Sequence, residues 1–220
     1  MSKYPSYQNQ FNSLDQKQRG ILNKIPYLED IDGWLLLAEA CELFSLSDQI
    51  KSPNPIICEI GTWKGKSTYV FASAIKNKHG KVYAIDPFNG DGDGASKDTY
   101  QEEVKKMGLT LLDNFNNTIA RYGLSNHIEV LPMLSEYARQ KFSESKIDLL
   151  FIDGNHEYES VKKDFDLWTS LIVPEGIIVL HDVKAIHVDG PKRVMDECLI
   201  NNSSWKNVRI VGEMGVATKV

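Results

Sequence analysis

Residues 56–68 read IICEIGTWKGKST, an aliphatic run that leads directly into a glycine-rich turn. Gly61 and Gly65 lie four residues apart in this turn, and a stretch with helical spacing follows. Glycine allows a tight turn and a close approach of ligand to backbone, and a helix N-terminus offers free N–H groups to a polar ligand. The stretch therefore predicts a buried strand, a ligand-binding turn and a helix.

Similar units continue toward the C-terminus, where aliphatic runs alternate with stretches of helical spacing. Strands that alternate with helices form parallel sheets covered on both faces, so we predict an α/β fold with a doubly wound, mostly parallel, seven-stranded sheet. Residues 207–220, NVRIVGEMGVATKV, predict a C-terminal antiparallel hairpin. The predicted strands are residues 55–60, 81–85, 127–131, 147–152 and 176–180, and the predicted helices are residues 66–77, 99–122, 137–143, 160–170 and 191–199.

The chain has 220 residues, which is enough for one α/β domain with a buried core. Residues 1–30 are polar and are interrupted by Pro5 and Pro26, a composition typical of a loosely held arm. We therefore expect an N-terminal arm over residues 1–30, able to cover a site or to pack against another subunit of a homo-oligomer. Residues 31–220 are expected to form a single domain.

Composition and charge restrict the classes of partner. Lys and Arg total 25 against 30 Asp and Glu, a net charge of −5, so the chain lacks the basic character of a nucleic-acid-binding protein. No stretch approaches the roughly 18 consecutive apolar residues of a transmembrane helix, and the first residues lack the apolar core of a secretory signal. We expect a cytoplasmic protein without a membrane partner. The three cysteines are widely spaced and predict neither a disulfide framework nor a Cys-x-x-Cys metal pair.

Three interpretations compete for the glycine-rich turn. A phosphate-binding P-loop needs four residues between its first glycine and the final Gly-Lys, and this sequence has three. The dinucleotide fingerprint needs a glycine where Trp63 stands. The remaining E-x-G-x-x-x-G pattern suits a non-phosphorylated nucleoside such as S-adenosylmethionine, with Glu59 holding its amino group and Asp86, after the next strand, accepting hydrogen bonds from its ribose. A P-loop-like nucleotide-binding enzyme that uses Gly65-Lys66-Ser67 stays the alternative.

Longer blocks of sequence carry a family resemblance: EIGTWKGKST (59–68), YAIDPFNGD (83–91), DLLFIDGNHEYESVKKDFDLW (148–168) and GIIVLHDV (176–183). In this order they resemble class I S-adenosylmethionine-dependent methyltransferases, in particular the branch with macrocin-type sugar O-methyltransferases and cephalosporin-hydroxylase-like proteins. The resemblance implies a Rossmann-like fold and O-methylation of a hydroxyl on a small molecule or glycan. A catalytically silent binding protein on this fold is a further alternative. The implied cofactor residues are Glu59, Gly61, Thr62, Gly65, Ser67, Asp86, Met133, Leu134, Ser135 and Asp153.

Acidic and imidazole side chains follow the fourth and fifth predicted strands. Ligands of open α/β sheets bind outside the carboxyl ends of the strands, so Asp153 and Asp182 should face the same crevice as the cofactor. Asp153, Asn155 and Asp182 are candidate ligands of Mg²⁺ or another divalent cation, which would lower the pKa of a bound hydroxyl. Asp153, His156 and His181 are the candidate catalytic residues, with His156 or Asp153 as a metal-free general base.

The sequence departs from the resembled family at this acidic cluster. Metal-dependent sugar O-methyltransferases of this type tend to carry Asp-Gly-Asp after the fourth strand and Asp-Asp after the fifth. This chain has Asp153-Gly154-Asn155 and His181-Asp182 instead. Fewer carboxylates would bind a hard cation more weakly, so metal dependence and a histidine base stay as alternatives.

Flexible segments near the predicted crevice suggest covers for the acceptor. Residues 89–98, NGDGDGASKD, resemble a calcium loop in part, but Tyr100 stands where such a loop needs glutamate. We expect a mobile cover there and a second one over residues 184–192. Aromatic residues at the crevice are candidates for stacking on a sugar or ring, namely Tyr27, Trp34 and Trp63.

Overall fold

The structure is a computed structural model that describes residues 5–94 and 96–220. Its strands are β1 (Ile56–Ile60), β2 (Lys81–Ile85), β3 (Ile128–Leu131), β4 (Ile147–Ile152), β5 (Ile172–Leu180), β6 (Trp205–Val211) and β7 (Met214–Lys219). They form one seven-stranded sheet in the order β3-β2-β1-β4-β5-β7-β6. β1 to β5 pair in parallel, and β7 runs antiparallel to both β5 and β6. The predicted fold class, including the C-terminal hairpin, is confirmed.

The described helices are α1 (Tyr7–Ser13), α2 (Gln16–Leu22), α3 (Leu37–Asp48), α4 (Lys66–Ile75), α5 (Lys97–Met107), α6 (Leu111–Arg121), α7 (Ser135–Lys141), α8 (Tyr158–Trp168) and α9 (Gly190–Val194). Side chains of α3, α4 and α6 form the core on one face of the sheet, and those of α7 to α9 form the core on the other. Within the described part of the chain, no helix has the length and apolar character to cross a bilayer.

The single helix predicted over residues 99–122 is wrong, because the chain breaks there into α5 and α6. Gly108 ends α5 in the left-handed conformation, with φ of +68°. The Thr110 hydroxyl then caps α6 by accepting a hydrogen bond from the Asp113 N–H at 3.1 Å. The glycine is a signal for the end of one helix, and the capping threonine two residues later is a signal for the start of the next. These two signals outweigh the continuous helical spacing.

The arm is packed rather than loosely held over its described residues. α1, α2 and a 3₁₀ turn (Leu28–Asp30) occupy residues 7–30, and an Asp15–Gln18 capping box starts α2. Burying an aliphatic side chain contributes about 1.5–3 kcal/mol, which outweighs the polar composition of this segment. Residues 1–4 lie outside the described residues. The arm residues that join the core are Leu14, Ile21, Leu22, Ile25 and Leu28.

The order of strands places the site. The sheet winds outward in both directions from the boundary between β1 and β4, so the helices that follow these two strands leave from opposite faces. Such a switch point opens a crevice at the carboxyl ends of the strands. The residues just after β1, β2, β4 and β5 therefore face a common space.

Candidate active site

Two adjoining cavities open at the carboxyl edge of the sheet. The first, about 320 Å³, lies against the ends of β1, β2 and β4 and the start of α7. The second, about 470 Å³, lies beneath the start of α4 and reaches the residues after β5. The residues that line both cavities are Gly61, Trp63, Tyr100 and Asp153.

Gly61 is required by the close approach of β1 and β4. Its φ is +86°, and a Cβ atom there would lie 2.1 Å from the Asp153 carbonyl oxygen. The Asp153 N–H also donates to the Ile60 carbonyl at 2.8 Å. The glycine thus lets the strand ends pack against each other, and this packing sets Asp153 at the boundary between the cavities.

Asp86 holds the glycine-rich turn from the end of β2 while it lines the first cavity. Its Oδ2 accepts the backbone N–H groups of Thr62 and Trp63, each at 3.0 Å, and its Oδ1 accepts that of Phe88 at 2.7 Å. Burial raises the pKa of this carboxyl, although the three hydrogen bonds oppose the rise. Two N–H groups of the turn are therefore engaged with a carboxylate, which is unfavourable for the phosphate cradle of the P-loop alternative.

Glu59 lies beneath the turn, wholly buried, and outside the walls of both cavities. Its Oε2 accepts the Thr68 hydroxyl at 2.5 Å, and Oε1 has no hydrogen-bond partner among the described residues. Burial raises the pKa of Glu59 to about 8. Its direct contact with a cofactor amino group stays a prediction.

The other predicted cofactor residues separate into groups. Met133, Leu134 and Ser135 line the first cavity together with Asp86. Thr62 and Ser67 line the second cavity instead. Gly65 lines neither one; it precedes α4 with φ of +89° and packs near Phe115. The structure therefore places these residues around two connected spaces rather than one.

The predicted catalytic residues meet at the edge of the second cavity, where two imidazoles alternate with two carboxylates. His181 Nδ1 lies 3.1 Å from Asp153 Oδ1, and His156 Nε2 lies 3.2 Å from Asp182 Oδ2. The other ring nitrogen of His156, Nδ1, lies 2.5 Å from Asp93 Oδ2. We call Asp153, His156, His181 and Asp182 the acid–imidazole cluster.

The cluster keeps its imidazoles protonated. Burial works against charge on His156, but the neighbouring carboxylates of Asp153, Asp182 and Asp93 outweigh burial and raise its pKa to about 11. Burial also opposes charge on His181, yet the Asp153 charge raises the pKa of that imidazole well above its ordinary value. Burial alone would raise the pKa of Asp182, but both imidazoles hold it well below its usual range. His156 is therefore a cation here and must lose a proton before it can act as a base.

The model of a family described as a methyltransferase domain matches residues 58–183, more than half of the chain. The chain belongs to this methyltransferase family. The match begins within β1 and ends just after β5, so it contains Asp86 and the whole acid–imidazole cluster.

Curated relatives match part of this chain. It is 29% identical over 142 residues to the uncharacterized protein R132 of Acanthamoeba polyphaga mimivirus, covering 64% of this chain and 57% of the relative. It is 27% identical over 130 residues to the uncharacterized protein y4gI of Sinorhizobium fredii, covering 58% of this chain and 13% of that protein. The matched regions thus span less than two thirds of these relatives.

Solved structures share the fold of this chain at low identity. The O-methyltransferase NovP superposes with a TM-score of 0.67 at 14% identity, covering 84% of this chain and 80% of NovP. An O-methyltransferase from Bacillus cereus in complex with SAH gives 0.63 at 16% identity, with 97% and 96% covered. CalS11, a TDP-rhamnose 3′-O-methyltransferase, gives 0.58 at 13% identity, with 98% and 96% covered.

Part of the acid–imidazole cluster fits a divalent cation. Asp153, His181 and Asp182 each offer one ligand atom, and these atoms lie within 4.8 Å of one another. Asn155 differs from the prediction in its surroundings: it lines the first cavity, and its Oδ1 accepts the Glu157 N–H at 2.8 Å. The structure therefore groups His181, rather than Asn155, with the two carboxylates, and Asn155 as a ligand stays a prediction.

Sequence reasoning missed two carboxylates that support the cluster. Glu39 of α3 is wholly buried, and its Oε2 lies 3.3 Å from His181 Nε2. A glutamate on the apolar face of an amphipathic helix, next to Ala40 and Leu43, was a signal for a buried role. Asp93 was considered only as part of a calcium-like loop, and no local pattern pairs it with His156, 63 positions away.

An aromatic group forms the wall between the cavities. The Trp34 and Trp63 rings stack at 5.6 Å, and the Tyr100 ring meets Trp63 edge-on at 4.6 Å. Trp34 and Trp63 therefore border the second cavity as predicted for stacking residues, whereas Tyr27 stacks on Tyr122 and lines neither cavity.

The segment that carries Asp93 and Tyr100 covers both cavities, and we call residues 89–94 and 96–107 the roof segment. Its helix, α5, has no buried side chain. Lys64, which is buried, fastens it with an ion pair from Nζ to Glu103 Oε2 at 3.2 Å. Of the predicted cover over residues 89–98, Ala95 lies outside the described residues. The segment is thus held by this ion pair and by the partly buried side chains of Val104 and Met107, which pack against the core.

Proposed function

We propose that this methyltransferase transfers the methyl group of S-adenosylmethionine to a hydroxyl oxygen of a small molecule or sugar. One observation carries the proposal: Asp153, Gly61, Trp63 and Tyr100 form a shared wall between a cavity lined by Asp86 and a cavity lined by the acid–imidazole cluster. A cofactor with its nucleoside in the first cavity would place its methyl group near this wall, facing an acceptor in the second.

The first cavity suits the nucleoside end of the cofactor. Its volume of about 320 Å³ falls within the usual range for small-ligand sites. Asp86 oxygens have further lone pairs to accept ribose hydroxyls, and Met133 and Leu134 offer apolar contacts to the adenine. We assign the methionine end to the start of α4, where Thr62 and Ser67 line the second cavity and Glu59 lies beneath the turn.

The second cavity suits the acceptor. Stacked indole rings and the Tyr100 ring provide flat apolar surfaces against which sugar or aromatic rings pack well. The printed description of CalS11 as a TDP-rhamnose 3′-O-methyltransferase supports a sugar acceptor. The net charge of −5 also favours a small-molecule acceptor over nucleic acid. A cytoplasmic location, a homo-oligomer and a domain boundary near residue 30 stay predictions.

The reaction makes one bond and breaks another. The acceptor oxygen forms a bond to the methyl carbon, the bond from that carbon to sulfur breaks, and the electron pair stays on the sulfur of S-adenosylhomocysteine. The hydroxyl proton must also leave. Because both imidazoles start as cations and both lower the pKa of Asp182, the Asp153 carboxylate on the shared wall is the proton acceptor at hand, and it releases the proton to water. Holding the reactants in line supplies much of the acceleration.

Asp153, His181 and Asp182 are the residues that would hold a divalent cation. Such a cation supplies Lewis-acid stabilisation of the negative charge that develops on an acceptor oxygen.

Calorimetry and a transfer assay test the proposal. S-adenosylmethionine and S-adenosylhomocysteine should bind to the full chain, and ATP should not. Asp86→Ala should weaken cofactor binding at least 10-fold, whereas Asp98→Asn, an exposed change on α5, should leave it unaltered. Labelled methyl transfer to a pooled library of sugars and phenols should be lost in Asp153→Asn. Binding of ATP without S-adenosylmethionine would overturn the assignment.

A further inference from the structure

We propose that the cation site of this methyltransferase selects a transition metal ion of the Mn²⁺ to Zn²⁺ series over Mg²⁺, because Glu39 directs an imidazole nitrogen of His181 into it. The inference deepens the proposed function and rests on it for the role of the site. It concerns the nature of the ion rather than the reaction, and its test measures binding directly.

The distances from His181 Nδ1 to the two carboxylates suit ligands of one ion. His181 Nδ1 lies 3.1 Å from Asp153 Oδ1 and 3.6 Å from Asp182 Oδ2. Metal bonds of about 2.0–2.2 Å to nitrogen and oxygen imply ligand-to-ligand distances of about 3.0–3.5 Å in octahedral or tetrahedral arrangements. Both distances from His181 Nδ1 are therefore close to this range, and all three ligand atoms lie within 4.8 Å of one another.

Two atoms of this group lack the hydrogen bonds that buried polar atoms normally make. His181 is 3% exposed and Asp182 is 8% exposed. His181 Nδ1 lies 3.1 Å from Asp153 Oδ1 without forming a hydrogen bond, and Asp182 Oδ1, the carboxylate oxygen other than the one 3.6 Å from that nitrogen, also has no hydrogen-bond partner among the described residues. Buried polar atoms are almost always satisfied, so two unsatisfied atoms beside one carboxylate point to a ligand. A cation bound by both would satisfy them.

Glu39 determines which nitrogen of His181 is available. Its carboxylate is wholly buried and accepts the Leu36 N–H at 2.9 Å and the Glu213 N–H at 2.7 Å, so its orientation is set by backbone groups. Oε2 then lies 3.3 Å from His181 Nε2, which donates its proton to it. A bound metal displaces the Nδ1 proton of His181, and an imidazole that keeps its Nε2 proton on a carboxylate then presents the Nδ1 lone pair, an arrangement that raises ligand basicity.

The donor set decides the selectivity. Mg²⁺ prefers oxygen ligands in a near-ideal octahedron and gives up water reluctantly. Imidazole suits Zn²⁺, Ni²⁺ and Fe²⁺, and affinity for a mixed nitrogen and oxygen site rises from Mn²⁺ through Co²⁺ toward the later metals. A site with one aimed imidazole and two carboxylates therefore favours these ions over Mg²⁺.

The test compares ions and variants on the chelator-treated full chain. Calorimetry should give at least 100-fold tighter binding of Co²⁺ and Zn²⁺ than of Mg²⁺ to the wild type, and Co²⁺ should show visible ligand-field absorption. His181→Asp should lower Co²⁺ and Zn²⁺ affinity at least 100-fold without weakening Mg²⁺. Glu39→Gln should lower Zn²⁺ affinity about 10-fold. His79→Asp, an exposed change, should behave as wild type.

Each contrary result has a defined meaning. Equal affinities for Mg²⁺ and Zn²⁺ in the wild type, or unchanged Zn²⁺ binding in a folded His181→Asp variant, would overturn the proposal. If His181→Asp does not fold, nitrogen NMR of the Zn²⁺-loaded wild type decides, since the proposal requires metal on Nδ1 and a proton on Nε2. S-adenosylhomocysteine binding is measured in parallel. If the wild-type chain binds S-adenosylhomocysteine but no cation, this inference alone is refuted. If the wild-type chain does not bind S-adenosylhomocysteine, the proposed function is refuted.

Discussion

The Asp93 carboxylate lies 2.5 Å from Nδ1 of His156, although the two residues are 63 positions apart in the chain. Asp93 belongs to the roof segment, whereas His156 follows β4 in the rigid sheet. Asp93 itself is buried, and its hydrogen bond with His156 is the largest cause of its lowered pKa. The position of the roof segment therefore sets the orientation of an imidazole in the acid–imidazole cluster.

Asp93→Ala should lower kcat about 10- to 100-fold, since a misoriented imidazole loses part of the 10²–10⁴-fold that a positioned acid or base contributes. Cofactor affinity should change less than threefold, because Asp93 does not line the first cavity. Initial-rate measurements give kcat, and calorimetry gives the cofactor affinity. Asp98→Asn on α5 is the matched control and should keep the wild-type rate. A loss confined to cofactor affinity would contradict this role.

Lys64→Met should loosen the roof segment without unfolding the protein. The Lys64 side chain is 5% exposed, and its Nζ contacts Asp32 at 3.4 Å and Glu103 at 3.2 Å. Methionine keeps the packing, and both carboxylates can be hydrated, so the free energy of unfolding should change by less than about 1 kcal/mol. Hydrogen exchange over α5 should accelerate at least 10-fold. Lys106→Met, which removes the exposed partner of Glu103, should leave exchange unaltered.

Gly61→Ala should destabilise the protein by about 3 kcal/mol or more, since the added methyl meets backbone at 2.1 Å and the residue has positive φ. Gly20→Ala provides the opposite case within the same chain. Gly20 lies in α2, and a Cβ atom added there would have no neighbour within 4 Å, so alanine should stabilise by up to about 1 kcal/mol. Urea unfolding of both variants measures the contrast, and similar values would refute the packing argument.

Asp164 should make stability depend on pH. Burial raises its pKa to about 6 from an ordinary value of 3.8. Well below pH 4 the carboxyl is protonated in both the folded and the unfolded states. As pH rises from about 4 to 6 the unfolded state ionises first, so stability falls by up to about 3 kcal/mol and then levels off.

Asp164→Asn removes this ionisation. The variant should match wild type near pH 4 and exceed its free energy of unfolding by about 2–3 kcal/mol at pH 7. Urea titrations at pH 4, 5, 6 and 7 measure the difference. Asp166→Asn, two residues away and exposed, is measured in parallel as the control. A difference between Asp164→Asn and wild type that does not change with pH would contradict the raised pKa.

The fold was predictable because its signals are local. β2 and β4 have the predicted bounds, since buried parallel strands are continuous aliphatic runs bounded by polar residues. The break at Gly108 was readable in principle. The packing of the arm was not, because Ile21, Ile25 and Leu28 are scattered among polar residues and their burial depends on α3 and α4.

The only site residues whose proximity could be predicted are those that directly follow strands of the sheet. Asp86, Asp153 and Asp182 follow strands whose ends must meet, so their proximity comes from the order of the sheet. Glu39 contacts His181 from a helix, and Asp93 contacts His156 from a loop. The order of the strands does not fix the position of either element. Their pairing depends on tertiary distances that a single sequence does not encode in any local spacing.

The roof segment touches both cavities, with Asn89, Gly90 and Gly92 over the first, Ser96 and Thr99 over the second, and Tyr100 over both. Ordering this segment around one ligand would therefore lower the entropic cost of ordering it around the other. Cofactor and acceptor should then bind with positive cooperativity, and thermodynamic reciprocity requires each to tighten the other by the same factor.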